Sequence, residues 1–350
     1  MEGRFQSGCN MARINLVYWD NGYGLSRDFR LLTAALHEQG CEVMATALGV
    51  RHERCRHGWY VRSYVRWQRV IHGFRRHAHS SGQFDLNIML EHVWPDQLAR
   101  ARHNVIVPNP EWFDRHDQRY LGDLDMVWAK TRNATDIFAK LGCKSVHMGF
   151  DSEDSYQSDI VKQRRFLHLA GASRTKGTRR LLDLWKRHPE WPSLTVIQHP
   201  SEACPTPPAA NIDHRITYFN PTDPSQGAQL RILQNEHAFH VCTSETDAWG
   251  HYLVEAMAVG ALTVTVDAPP MNELVDSERG ILVPYERSDS MALATRYYFD
   301  EEAMVACIER VLGLSDAEID AYSRQARAWY RDNRNHFVKR VGEALESSLA

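Results

Sequence analysis

Residues 242–275 read CTSETDAWGHYLVEAMAVGALTVTVDAPPMNELV, and the rest of the chain falls into place around them. The apolar run AFHVCTS at 238–244 has the length and continuity of a buried strand that ends in polar residues. Beyond Gly250, the spacing of Tyr252, Leu253, Ala256 and Met257 predicts a helix, so the loop from Glu245 to Gly250 opens it. A helix start presents unpaired backbone N–H groups and the positive end of a dipole, which suits it to phosphate. Two acids frame that point, Asp247 before the helix and Glu255 on it. An ordinary strand-helix-strand unit with Glu255 solvated is the bland alternative. Packing alone, however, gives no reason to flank a Trp-Gly turn with paired acids.

Outward from this stretch, RRFLHLAG at 164–171 predicts a second strand, and its loop, Ala172 to Thr178, feeds a helix with Leu181, Leu182, Leu184 and Trp185. Arg174 and Lys176 lie on that loop, one loop away from the dipole-bearing helix, where they make a diphosphate site the better reading over solvated cations.

The order Asp247, Trp249-Gly250, Glu255-Ala256-Met257-Ala258, Gly260-Ala261-Leu262 and the strand TVTVDA resembles the signature of the retaining, nucleotide-sugar-dependent glycosyltransferases of family 4. That family carries an acid, seven residues and a glutamate around a Gly-aromatic-Gly turn. Here aspartate stands for the first glutamate, His251 follows the glycine in place of an aliphatic residue, and Leu262 replaces a proline. The resemblance implies a GT-B architecture, an α/β fold of two Rossmann-like domains facing across a cleft. By that reading 11–150 form the acceptor-side domain, 164–324 the nucleotide-sugar domain, and a C-terminal helix from about 325 to 350 crosses back to the first. It further implies that Arg174 and the Lys176-Gly177 pair grip the donor diphosphate, that Asp247 holds sugar hydroxyls, and that Glu255 holds the ribose. Arg174, Lys176 and Asp247 are then the catalytic candidates. Gly177, Thr178, Trp249, Gly250, His251, Tyr252 and Leu253 complete the donor side of this domain.

The first domain opens with an apolar strand at 13–20 that stops at Asn21-Gly22-Tyr23-Gly24, followed by a helix that Ser26 is placed to cap and that ends at Gly40. In the resembling family this turn, with Gly22 and Gly24, lies over the cleft near the donor. FDLNIMLEHV at 84–93 is the next strand, and His92 at its end is a donor-contact candidate by the same resemblance. NVIVPNPEWF at 104–113 is a strand interrupted by prolines, whose loop carries Asn109 and Glu111. Lys130 and Arg132 follow the strand in 125–142, at the end where open α/β sheets bind ligands. These four residues are assigned to the acceptor side. Residues 151–163 are polar and unpatterned and read as an interdomain linker. RITYFN at 215–220 predicts a strand near the nucleotide base, ILVPY another, and the remainder is expected to be helical.

Composition sets the outer limits. The 350 residues suffice for two domains, and 43% hydrophobic with 24% charged residues describes an ordinary globular chain. No apolar run is long enough to span a bilayer, and MEGRFQSGCN lacks a signal core, so a cytoplasmic location is expected. Seven scattered cysteines suit a reducing compartment, and 18 histidines form no metal-ligand motif. Neither metal nor cofactor is expected, since loop cations can serve a diphosphate.

A net charge of −3 predicts no global pull on polyanions, yet 51–79 hold eight arginines against Glu53, interleaved with Trp59, Tyr60, Tyr64, Trp67 and Phe74. Arg62, Arg66 and Arg69 share one side of a predicted helix. Such a face suits an anionic membrane surface or a nucleic-acid backbone, or is simply solvated.

The expected activity is therefore sugar transfer from a nucleotide-diphosphate sugar to an anionic or membrane-associated acceptor, a glycan or lipid-linked glycan. The alternatives are transfer to a hydroxylated base in nucleic acid, a nucleotide-sugar epimerase of the same architecture, and a non-catalytic binding module. Oligomeric state is left open.

Overall fold

In a computed structural model the described residues are 11–22, 24–48, 67, 83–204, 209–217 and 224–350. The basic stretch at 51–79, with Arg62, Arg66 and Arg69, lies outside them apart from Trp67. Two six-stranded parallel sheets organise the chain. The first runs β2-β1-β3-β4-β5-β6, from β1 (Arg13–Trp19), β2 (Glu42–Leu48), β3 (Phe84–Glu91), β4 (Ala101–Pro108), β5 (Met126–Ala129) and β6 (Ser145–His147). The second runs β12-β11-β10-β7-β8-β9, from β7 (Gln163–Gly171), β8 (Leu194–Gln198), β9 (Ile212–Ile216), β10 (His237–Cys242), β11 (Leu262–Val266) and β12 (Gly280–Val283). Parallel strands take helices on both faces, so central strands read as unbroken apolar runs; every residue of β10 and β11 is buried.

The helix His251–Ala258 follows Gly250, which adopts a left-handed conformation at φ 85°. The helix Thr178–Lys186 likewise follows Gly177, at φ 64°. A Cβ on Gly177 would stand 2.6 Å from the Thr243 carbonyl, so close contact between the loops after β7 and β10 requires glycine there.

The helix Asp316–Leu349 starts at a capping box of Ser315 and Glu318 and runs 34 residues. Its first half packs on the second domain, and its second half lies on the helix Gly24–Glu38 and on β3 and β4. The Trp128 indole donates to Ser348 Oγ at 3.0 Å near its end. This is the crossing helix expected at about 325–350, begun one long segment earlier. One buried cluster runs through both domains, joined where Phe150 meets Trp249, His251 and Phe337.

Four local expectations are corrected. The first helix starts at Gly24, and Ser26 sits inside it, accepting from Gly22 N at 2.8 Å and donating to Asp20, so it closes the glycine turn instead of capping. Residues 151–162 have no regular structure, yet Asp151 and Ser152 are buried, which makes the start of this segment part of the domain interface. The strand expected at 215–220 is β9, set earlier in the chain, and 218–220 lie outside the described residues. Beyond β12, an antiparallel hairpin of β13 (Tyr285–Met291) and β14 (Ala294–Phe299) interrupts what was expected to be helical. The polar strand YERSDSM carries no apolar alternation, so only the β-favouring ATRYYF beside it signalled pairing.

Gly177→Ala is expected to destabilise the fold by on the order of 1–3 kcal/mol, because alanine must hold a positive φ against the Thr243 carbonyl. Urea unfolding would show a lower midpoint with an unchanged slope; an unaltered midpoint would mean the two loops have slack.

Candidate active site

The two loops that Gly177 lets approach are zipped by Thr243 Oγ1 donating to Lys176 O at 2.8 Å and Glu245 N donating to Thr175 O at 2.8 Å. This places the Lys176 ammonium in an ion pair with Asp247, 3.2 Å from Ser244 Oγ and 4.0 Å from the centre of the Tyr252 ring. Asp247 Oδ1 accepts from Gly250 N at 3.0 Å, which ties the pair to the helix start, and Ser244 supports Oδ2 at 3.1 Å. Tyr252 in turn donates to Ser244 at 2.7 Å. Burial pushes the Asp247 carboxyl up, but Lys176 outweighs it and the net shift is downward, so the pair is ionised. Trp249 and Leu253 are buried beneath this corner, and Thr178 is buried with its hydroxyl 2.9 Å from His168.

Arg174 stands apart: its side chain is 74% exposed and its ion pair is with Glu202 at 3.5 Å.

A second group of charged side chains crosses from domain to domain. His251 bridges Ser152 Oγ at 2.8 Å and Asp28 Oδ1 at 2.7 Å, and Asp28 Oδ2 accepts from Lys130 at 2.5 Å. Lys130 also donates to Asn109 Oδ1 at 2.9 Å, and Asn109 donates to Glu91 at 2.9 Å. His92 lies between Asp117 at 2.9 Å and Glu91 at 3.5 Å. Glu91 itself takes a positive φ of 66°, unusual for a residue with a Cβ and a mark of local backbone strain. Burial pushes Asp28 up, yet Lys130 and His251 overcome it and hold the carboxyl down at about 2. Glu111, on the loop after β4, is buried and its carboxyl is pushed up to about 8, first by burial and then by the charge of Asp247.

Glu255 also faces the first domain. It is 7% exposed, ion-paired with Arg27 and accepting from Gln234 at 3.1 Å. Gly22 and Gly24 build the turn that launches the helix bearing Arg27 and Asp28. Arg132 contributes its backbone: its N–H and that of Asn133 donate to the Glu273 carboxylate at 2.6 and 2.7 Å, so an acid of one domain caps a helix of the other.

The structure thus gathers Asn109, Glu111, Lys130, Lys176, Asp247, His251 and Glu255 at the carboxyl ends of the two sheets, with His92 at the border. Sequence reasoning missed Arg27, Asp28, Gln234 and Glu273. A signal existed for the first two: a charged pair near the start of the helix that follows the glycine loop at the end of β1.

Residues 211–310 match the family described as glycosyl transferases group 1. With two parallel sheets and a crossing C-terminal helix, the fold is the GT-B architecture of the solved structures it resembles. Among solved structures the chain is similar to sucrose-phosphate synthase from Thermosynechococcus elongatus, at 11% identity and TM-score 0.68 over 96% of this chain and 98% of that one. It is similar to a glycosyltransferase from Rickettsia africae, at 12% identity and TM-score 0.63 over 97% and 98% of the two chains. Anabaena HepE, solved with UDP and glucose, matches at 14% identity and TM-score 0.61 over 97% and 99%. No curated protein matches by sequence.

Asp28 gives a pH prediction. Its carboxyl lies near 2 in the fold against an ordinary 3.8, so its contribution is present above pH 3.8 and lost as pH falls through 2. The shift corresponds to about 2 kcal/mol. Asp28→Asn should lower stability at neutral pH, leaving Lys130 buried without its charge partner, and should flatten the stability curve between pH 4 and 2. Parallel curves for the two proteins would contradict the assignment.

Proposed function

We propose that the chain transfers a sugar from a nucleoside-diphosphate sugar with retention at the anomeric carbon. The observation that carries this reading is the partly buried Lys176–Asp247 ion pair at the start of the His251–Ala258 helix, with Glu255 farther along that helix. The likeness to HepE, solved with UDP and glucose, supports the donor class.

In this reading the diphosphate meets Lys176 and the N–H groups at the helix start. As the bond to the anomeric carbon breaks, negative charge grows on the β-phosphate, and these preorganised groups stabilise it more than they stabilise the ground state. Lys176 is already held by Asp247 and Ser244, so little reorganisation is needed when that charge appears. The sugar hydroxyls take Asp247 as a charged acceptor, and the ribose takes Glu255. No protein nucleophile is required if the acceptor hydroxyl attacks from the face the phosphate leaves, passing its proton to the departing oxygen. The chemistry needs no metal in this scheme, because Lys176 and the backbone dipoles supply the positive field.

The acceptor is read as anionic or membrane-associated, from the arginines of 51–79. Among the described residues no helix is long and apolar enough to cross a membrane, so any membrane contact of those residues would be peripheral. Epimerised donor released without acceptor would favour a nucleotide-sugar epimerase instead, and tight donor binding without turnover a binding module.

A thermal-shift panel of nucleotide sugars identifies the donor, since a ligand specific to the folded state raises its melting temperature. With that donor, Lys176→Ala should lower kcat by about 10²–10³ and raise the donor Kd less. A rise in Kd that accounts for the whole loss would limit the lysine to binding. Replacing Arg62, Arg66 and Arg69 by glutamine should leave donor hydrolysis near normal and weaken recruitment to anionic vesicles, most at low salt. A hydroxylated-base duplex serves as the competing acceptor. Unchanged vesicle binding and unchanged transfer would reduce the arginines to a solvated surface.

A further inference from the structure

Glu111 is an acid at the cleft whose carboxyl the transfer scheme leaves unused. Only 7% of it is exposed, and its Oε2 has no hydrogen-bond partner among the described residues. A buried polar oxygen without a partner is costly, and the few that folded proteins keep tend to serve a ligand or a reaction. The two residues before it are tethered. Asn109 is held by Lys130 and Glu91, and Pro110 O accepts from Leu293 N at 3.1 Å, at the tip of the β13–β14 hairpin. The hairpin crosses from the second domain to make that bond, and Tyr297 N at its other strand donates to Glu245 O at 2.7 Å, on the loop that carries Asp247. One element therefore fixes both the loop of Glu111 and the loop of Asp247.

We propose that Glu111 is a specificity-determining residue for the transferred sugar, its free oxygen hydrogen-bonding a sugar hydroxyl that Asp247 holds from the second domain. This rests on the donor reading above. Sequence position alone put Glu111 on the acceptor side; its proximity to Asp247 moves it to the donor sugar. The charges that act on it are Asp247 on the loop after β10, Lys130 at the end of β5 and Glu91 at the end of β3, and its own backbone amide donates to its carboxyl. Burial and Asp247 outweigh Lys130, so at neutral pH Glu111 is a neutral acid, offering one O–H donor and one carbonyl acceptor. Asp247, ionised against Lys176, only accepts. A hydroxyl placed between them donates to Asp247 and accepts from Glu111, which satisfies every polar atom involved.

The test compares UDP, GDP and ADP with their hexose and N-acetylhexosamine conjugates by calorimetry on the wild type, Glu111→Gln and Glu111→Leu. The nucleotide alone should bind all three proteins within about twofold, which also shows that the variants fold. The tightest conjugate should lose about tenfold in affinity on Glu111→Leu and keep most of it on Glu111→Gln, which retains a donor and an acceptor. In the wild type the advantage of the conjugate over the nucleotide should shrink from pH 7 to 9, as Glu111 ionises beside Asp247, and stay level in Glu111→Gln. An unchanged conjugate-to-nucleotide ratio in Glu111→Leu overturns the assignment while leaving the donor reading intact, as does equal weakening of nucleotide and conjugate. A wild type that binds none of the nucleotides overturns the donor reading and this proposal together.

Discussion

The buried chain His251–Asp28–Lys130–Asn109 is the constraint on which the geometry of the cleft depends. Asp28 and Lys130 belong to the first domain and His251 to the second, and none of the three tolerates burial without its partners. Removing either charged partner would leave the other desolvated and uncompensated, typically a penalty of roughly 3–5 kcal/mol. Such a chain contributes little to net stability, because desolvation of each ion offsets most of the attraction. Its effect is on orientation: the hydrogen bonds form together only when the two domains meet at one angle. The shared core around Phe150 supplies the apolar surface that makes this meeting favourable, and Lys130 lies 5.0 Å from the Phe150 ring centre, at the junction of the two.

The crossing helix makes the same angle harder to lose. Tyr330 donates to Ser152 O at 2.8 Å and Asn333 donates to Phe150 O at 2.8 Å, so the helix grips the connecting segment where it enters the second domain. Ser152, held at its carbonyl by the helix, presents its hydroxyl to both Trp249 and His251. The motif helix is thereby braced from the connection as well as from the first domain. This explains why a stretch that lacks regular structure is nonetheless buried at its start.

Much of this was legible in the sequence, and the pattern of what was not is physical. Gly177 and Gly250 were readable because a left-handed turn ahead of a helix demands glycine, and Asp247 and Glu255 because their spacing is local. Lys176 was singled out by its position on the loop after β7 and by the resemblance of Lys176-Gly177 to the family's Lys-Gly pair. Gln234 and Glu273 escaped because each acts on the other domain or on a neighbouring element, and nothing in one strand-helix-strand unit reports a partner elsewhere in the fold. The polar hairpin escaped because a strand exposed on both faces has no hydrophobic period. Arg174, on the same loop as Lys176, is not drawn into the cluster: its side chain is mostly solvated beside Glu202.

The pairing of Glu255 changes how its role should be understood. Both of its oxygens are engaged in the ligand-free chain, one by Arg27 and one by Gln234. Under the proposed function, a ribose that takes this carboxylate exchanges partners with Arg27; it does not fill an empty acceptor. The exchange is less costly than stripping a charge bare, because the carboxylate stays hydrogen-bonded throughout and Gln234 need not move. Arg27, freed from Glu255, still has Asp28 and Glu153 within electrostatic reach. It also begins next to the cleft, where a diphosphate would bring its own negative charge. Under the proposed function the same arginine holds the domains together before a donor binds and is left facing it afterwards, so that donor binding and the interdomain contact would draw on one set of charges.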